Sequence, residues 1–111
     1  MGLFSFLSKS SDPLCLPFAT DIHCHILPDV DDGSPDVQTS AELVERMKSW
    51  GISRIITTPH ITESSFENTP ETLDRALDAL KSELAKREIS IDLSRSSENR
   101  IDDYFRTQLA A

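Results

Sequence analysis

The sequence is poor in cysteine, with only Cys15 and Cys24 in 111 residues. Two thiols are too few for the disulfide framework of a small secreted domain, so we expect both to be reduced and the protein to be cytoplasmic. Basic residues are also scarce, because 11 Lys and Arg stand against 19 Asp and Glu, for a formal net charge of -8. That balance excludes nucleic acid and anionic membranes as favoured partners.

Long apolar runs are missing as well. The opening segment, residues 1–7, is apolar, but it has no basic start and ends at Ser8 and Lys9. It is too short for a membrane span and lacks the basic region of a signal peptide. The total length allows one domain with a modest core. We expect residues 1–17 to form an N-terminal arm and residues 18–111 to form that domain.

Apolar patterns and turn residues predict that strands and helices alternate. The predicted elements are a strand at 18–24, a helix from about 35 to 50, a strand at 52–58, a helix from 70 with a stripe of Leu73, Leu77, Leu80 and Leu84, a strand from 89 to about 96, and a short helix carrying Ile101, Tyr104, Phe105 and Leu109. Ser34 and Thr69 are the predicted N-caps, Pro35 and Pro70 the first helical residues, and Gly51 the first stop. This order is typical of an α/β fold with parallel strands joined by crossover helices.

Candidate metal ligands follow the predicted strands. His23 and His25 are two residues apart on an extended segment, which places both imidazoles on the same side. The acidic pair Asp31 and Asp32 follows on a turn. The remaining candidates are His60, after the second predicted strand, and Glu98, after the third. Because the C-terminal ends of parallel strands share one face, these groups are expected to converge on a divalent metal.

Each residue also has a simpler explanation when it is taken alone. The histidines could be hydrogen-bonded core residues, and the acidic pair could cap the following helix. Glu98 could be a solvated charge at a strand end. Cys24, which points away from the histidines on the predicted strand, fits a core thiol better than a nucleophile.

Two stretches carry a resemblance to a known family. Residues 21–34, with the sequence Asp-Ile-His-Cys-His-Ile-Leu-Pro-Asp-Val-Asp-Asp-Gly-Ser, and residues 56–60, Ile-Thr-Thr-Pro-His, resemble the opening motifs of the polymerase and histidinol phosphatase (PHP) superfamily. Within that superfamily they are most similar to the bacterial capsular-polysaccharide-type tyrosine-protein phosphatases. The similarity extends from about Phe18 to Leu109.

The resemblance implies the N-terminal part of a distorted (β/α)7 barrel that holds a cluster of divalent metal ions, with manganese as the first choice and iron or zinc as alternatives. The residues that match the family's metal ligands are His23, His25, Asp32, His60 and Glu98, the last as a bridging ligand. Among them, Asp32, His60 and Glu98 are also the implied catalytic residues. Such barrels need roughly 200 residues or more, so we expect this chain to be the N-terminal portion of such an enzyme.

The implied activity is metal-dependent hydrolysis of protein phosphotyrosine, with a tyrosine kinase that controls capsule or exopolysaccharide export as the partner. One alternative is a related hydrolase that acts on a small phosphate ester such as histidinol phosphate. Another is an inactive metal-binding fragment, whose open sheet edge would favour oligomerisation.

Overall fold

The computed structural model describes residues 15–110. In that part of the chain the elements are β1 (Thr20–Asp21), α1 (Val37–Ser49), β2 (Arg54–Thr57), β3 (His60–Ile61), α2 (Pro70–Lys86), β4 (Asp92–Arg95), β5 (Glu98–Asn99) and α3 (Asp103–Ala110). Most of the predicted N-terminal arm, residues 1–14, lies outside the described residues. Within residues 15–110, none of the helices is both long enough and apolar enough to cross a bilayer.

The main sheet is parallel, with β2 between β1 and β4. Ile55 of β2 lies opposite Asp21 of β1 on one side and Leu93 of β4 on the other. α1 follows β1 in the chain and leads to β2, and α2 precedes β4. The predicted class, α/β with parallel strands joined by helices, is therefore confirmed.

The first strand is much shorter than predicted. It covers Thr20–Asp21 instead of residues 18–24. The Asp21 carboxylate accepts a hydrogen bond from the backbone N–H of His23 at 2.9 Å, a local turn that ends the extended segment. His23 and His25 therefore lie on irregular backbone after the strand, and the alternation of a regular strand does not orient them.

The first helix begins later than predicted. Asp36, and not Ser34, is the N-cap, because its carboxylate accepts the N–H of Thr39 at 2.7 Å. This hydrogen bond lowers the pKa of Asp36. The Ser34 hydroxyl instead donates to the carbonyl of Asp36 at 3.0 Å. Because Asp36 is the N-cap, Pro35 lies before the helix and is not its first residue. The predicted stop at Gly51 is confirmed by its φ of 99°, which favours glycine.

The second helix begins as predicted, with Thr69 as N-cap and Pro70 in the first turn. Thr69 and Thr72 cap each other's backbone N–H groups, at 3.2 and 2.9 Å. Of the leucine stripe, Leu73, Leu80 and Leu84 are buried, and Leu77 is partly buried. The buried hydrophobic core consists of Ile26, Leu27, Ala41, Val44, Ile52, Ile55, Leu73, Ala76, Leu80, Leu84 and Leu93.

The C-terminal elements differ in detail from the prediction. β4 begins at Asp92, while Ile89 and Ile91 pack against the core ahead of it. α3 is present, but Ile101 lies before it and is 85% exposed, and Leu109 is 70% exposed. Ile101 and Leu109 therefore do not belong to a buried face of α3 within the described residues.

A second parallel pair, formed by β3 and β5, was not predicted. In it, His60 lies opposite Glu98 and Ile61 opposite Asn99. The backbone N–H of Glu98 donates to the carbonyl of Pro59 at 2.8 Å. Pro59 has no N–H to give to a ladder, which is consistent with the break between β2 and β3. This small sheet places His60 and Glu98 side by side.

Candidate metal centre

Glu98 is the point on which the three described histidines converge. Its Oε1 lies 3.2 Å from His23 Nε2 and 3.2 Å from His25 Nε2. Its Oε2 lies 3.6 Å from His60 Nδ1. The carboxylate therefore stands between a pair of imidazoles on one side and a third imidazole on the other.

Three separate parts of the chain deliver these groups. The histidine pair follows β1, His60 begins β3, and Glu98 begins β5. Since β1, β2 and β4 are parallel, the chain leaves each of them at the same edge of the sheet. The rings of His25 and His60 stack with their centroids 4.4 Å apart, which brings the first and second segments into direct contact.

Asp32 lies at the margin of this cluster. Its Oδ1 is 3.7 Å from Nε2 of His60, and its side chain is 74% exposed. The structure thus brings all five predicted ligands together, although Asp32 reaches the cluster only through His60.

Asp31, the neighbour of Asp32, is buried beneath the cluster. Its side chain is 1% exposed, and its Oδ2 is 3.2 Å from Nδ1 of His25. The same oxygen accepts the backbone N–H of His60 at 2.9 Å, and Oδ1 accepts the N–H of Gly33 at 2.9 Å. The acidic turn made both residues candidates, and the family resemblance selected only Asp32 as a ligand. The burial of Asp31 was not predicted, because it depends on contacts with distant residues and not on its neighbour.

Thr58 was not singled out from the sequence. Its hydroxyl oxygen lies 3.2 Å from Nδ1 of His23 and 3.3 Å from the carbonyl oxygen of Cys24. Thr58 is buried, directly follows β2 and stands two residues before His60. The only signal in the sequence was the position of a hydroxyl residue at a strand end close to a histidine.

Cys24 lies between the two histidines in sequence but contributes to the core. It is partly buried and packs against the core residues. Burial, and to a lesser degree the negative charge of Asp21, raises the pKa of its thiol to about 11. A thiol with this pKa is protonated at neutral pH and is therefore a poor nucleophile.

The donor set fits a divalent metal. Imidazole nitrogen and carboxylate oxygen are typical ligands of zinc, iron and manganese. Ligand atoms bound at about 2.0 to 2.2 Å from one ion lie roughly 2.8 to 3.6 Å from each other in octahedral or tetrahedral geometry, and the contacts of His23 and His25 with Glu98, at 3.2 Å, agree with this. Two overlapping groups have ligand atoms within 4.8 Å of one another: His23, His25 and Glu98, and His25, Asp31 and His60.

Comparison with known proteins decides the family. Residues 19–110 match the sequence model of a family described as capsular polysaccharide synthesis, CpsB/CapC. The chain belongs to the CpsB/CapC family. The resemblance drawn from the sequence motifs is thereby confirmed at the level of this family.

Two curated proteins illustrate the similarity to CpsB/CapC proteins. The tyrosine-protein phosphatase YwqE of Bacillus subtilis is 40% identical over 81 residues, which cover 73% of this chain and 32% of YwqE. The tyrosine-protein phosphatase CpsB of Streptococcus agalactiae is 34% identical over 67 residues, which cover 60% of this chain and 28% of CpsB. This chain therefore spans about a third of the length of the curated relatives that it matches.

A solved structure supports the same assignment. It comes from a study of YwqE from Bacillus subtilis and CpsB from Streptococcus pneumoniae, described as unique metal-dependent tyrosine phosphatases. The match has a TM-score of 0.73 and 37% sequence identity, and it covers 82% of this chain and 37% of the other. The CpsB/CapC fold of the described residues is thus an α/β arrangement similar to that of this structure.

Proposed function

We propose that this chain forms the N-terminal part of a metal-dependent tyrosine-protein phosphatase built on a distorted (β/α)7 barrel, in which residues 18–111 belong to the phosphatase domain. The observation that carries the proposal is the convergence of three histidines on the two oxygens of Glu98. Family membership and the names of the relatives support the substrate class.

The proposed ligands divide between the two oxygens of Glu98. His23 and His25 would share one ion with Oε1, since both Nε2 atoms lie 3.2 Å from it. His60 would hold a second ion with Oε2 through its Nδ1 atom. Asp32 faces the other ring nitrogen of His60, Nε2, and would be a ligand on that side of the ring. In this arrangement Glu98 would serve both positions, and Asp32, whose side chain is 74% exposed, would be the ligand most open to solvent.

Divalent ions held by these residues would supply the activation of water for attack and would offset the negative charge of a phosphoryl group. The reaction is hydrolysis: the bond between phosphorus and the tyrosine oxygen breaks, a bond from phosphorus to the water oxygen forms, and the products are tyrosine and inorganic phosphate. The residues of this chain hold and orient the site, and the protonated Cys24 is not required as a nucleophile.

The proposed partner is a phosphotyrosine-bearing protein, namely a bacterial tyrosine kinase of capsule or exopolysaccharide synthesis, in the cytoplasm. Manganese is the proposed metal, with iron or zinc as alternatives, because mixed imidazole and carboxylate ligation suits all three. Nucleic acid is not proposed as a partner, since the chain carries a formal net charge of -8.

The test is a phosphatase assay with a phosphotyrosine peptide and added Mn²⁺, accompanied by a measurement of bound metal. We expect hydrolysis that depends on the metal, and a loss of at least about 100-fold in Glu98→Gln, which removes the charge on which the histidines converge. Glu45→Gln, on the exposed face of α1, is the matched control and should behave as the wild type.

Two other results would replace the proposal. Preferential turnover of histidinol phosphate would assign the chain to hydrolases of small phosphate esters. Metal binding that is lost in Glu98→Gln, without turnover of either substrate, would indicate an inactive metal-binding fragment.

A further inference from the structure

We infer that Asp31 is a positioning residue, which holds the ring of His25 and the backbone of His60 so that their free nitrogens face the metal. The inference rests on the proposed metal centre and adds to it a residue outside the proposed set of ligands. It also assigns different roles to two adjacent carboxylates, Asp31 and Asp32.

The contacts of Asp31 leave little room for an ion. Oδ2 accepts the backbone N–H of His60 at 2.9 Å and faces Nδ1 of His25 at 3.2 Å. Oδ1 accepts the N–H of Gly33 at 2.9 Å. A carboxylate offers about four acceptor positions, and three of these are used. With its side chain 1% exposed, Asp31 faces the protein and not the open side of the cluster.

These contacts act on His25 in a definite direction. A neutral imidazole carries one proton, and a hydrogen bond from Nδ1–H to a carboxylate keeps that proton on Nδ1. Nε2 then presents its lone pair, and Nε2 is the atom that lies 3.2 Å from Oε1 of Glu98. Carboxylates that orient ligating histidines in this way are common around metal sites.

Asp31 also links the first ligand segment to the second, and through it to Glu98. The N–H of His60 that it accepts belongs to the first residue of β3, and His60 pairs with Glu98 in the small sheet. The His25 and His60 rings stack on each other at 4.4 Å. One buried carboxylate therefore fixes the separation between two rings that approach Glu98 from different parts of the chain.

The decisive variant is Asp31→Asn, because an amide cannot accept all three hydrogen bonds with the same geometry: one of its two ends is a donor. Asp29→Asn is the matched control, since Asp29 lies in the same turn, is exposed, and has a φ of 55° that asparagine tolerates. Both variants remove one negative charge, so a general electrostatic effect would appear in both.

The first measurement is metal affinity, by titration with Mn²⁺ and with Co²⁺ followed by absorption. We expect Asp31→Asn to weaken binding about 10- to 100-fold relative to Asp29→Asn while the positions of the Co²⁺ bands are retained, because the ligand atoms are unchanged. Equal affinities in the two variants would overturn the inference. Bands that move as they do in His25→Ala would overturn it too, by making Asp31 a ligand.

The second measurement needs no variant. In the wild-type chain loaded with diamagnetic Zn²⁺, nitrogen-15 spectra of the His25 ring should show a proton on Nδ1 and the metal on Nε2. The opposite arrangement would refute the positioning role, even if Asp31→Asn failed to fold.

A third measurement, made without metal, separates this inference from the proposed function. The amide proton resonance of His60 should shift and its solvent exchange should accelerate in Asp31→Asn, but not in Asp29→Asn. If the wild-type chain bound no metal and the His60 amide still responded, the metal centre would be wrong and only the contact of Asp31 with His60 would stand. If the chain bound metal and the amide did not respond, the positioning role would be wrong.

Discussion

The side-chain amide of Asn68 donates a hydrogen bond to the backbone carbonyl of His60 at 2.9 Å. The same nitrogen donates to the carbonyl of Val30 at 2.8 Å, and its amide oxygen accepts the hydroxyl of Thr72 at 3.1 Å. Asn68 is 9% exposed and directly precedes the N-cap of α2. One buried amide thus fastens the start of α2 both to the acidic turn and to a proposed metal ligand.

Replacing Asn68 should therefore destabilise the fold near the metal centre. In Asn68→Ala the carbonyls of Val30 and His60 lose their donor, and an unsatisfied buried acceptor costs about 1 to 3 kcal/mol. Urea denaturation followed by circular dichroism measures the change in the free energy of unfolding. Asn99→Ala, on an exposed part of β5, is the control, and equal stability of the two variants would contradict the role assigned to Asn68.

Gly33 is expected to tolerate no side chain. A Cβ atom built there would lie 2.2 Å from the carbonyl oxygen of His25 and 2.7 Å from its Cβ atom. Because one of these atoms is backbone, Gly33→Ala must displace the segment that carries His25, and we expect a lower thermal midpoint together with weaker Mn²⁺ binding. Ser65→Ala, in an exposed loop, is the control. A Gly33→Ala chain with wild-type metal affinity would show that the turn does not fix the histidine.

Cys24 should resist alkylation. Its pKa of about 11, compared with an ordinary value of 9.0, leaves about 100-fold less thiolate at pH 8 than a free thiol would have. Mass spectrometry after a short iodoacetamide treatment should find the exposed Cys15 modified well before Cys24. Similar rates at the two sites would show that the thiol is not shielded, and loss of Mn²⁺ binding in Cys24→Ala would give it a role beyond packing.

Acid should destabilise the C-terminal part of the described chain. Hydrogen bonds from the N–H groups of Glu63 and, secondarily, Phe105 lower the pKa of Asp102 from its ordinary value of 3.8. The folded state therefore binds a proton at Asp102 less readily than the unfolded chain does. The contribution of this carboxylate to the free energy of unfolding is complete above about pH 4 and is lost as the pH falls through the lowered pKa.

Thermal unfolding between pH 6 and pH 2 measures this dependence. Over this range the thermal midpoint of Asp102→Asn should fall less than that of the wild type. The control is Asp78→Asn, on the exposed side of α2, whose midpoint should fall as much as that of the wild type. A steeper drop in Asp102→Asn would reverse the sign of the argument.

Local sequence determined the elements that depend on neighbouring residues. Thr69 followed by Pro70 sets the start of α2, and Gly51 ends α1, because capping and positive φ are properties of a few adjacent residues. The alternation of apolar segments was sufficient to give a parallel α/β fold. The sequence motifs shared with the family also identified the candidate ligands, which are His23, His25, Asp32, His60 and Glu98.

Only the tertiary structure decided how those candidates are used. The pairing of β3 with β5 that sets His60 beside Glu98 joins residues 38 positions apart, and nothing local predicts its register. Asp31 and Asp32 are identical and adjacent in sequence, yet one is enclosed by Gly33, His25 and His60 while the other is 74% exposed. The physical reason is that burial and hydrogen-bond partners come from distant parts of the chain, so they exist only once the strands have brought those parts together.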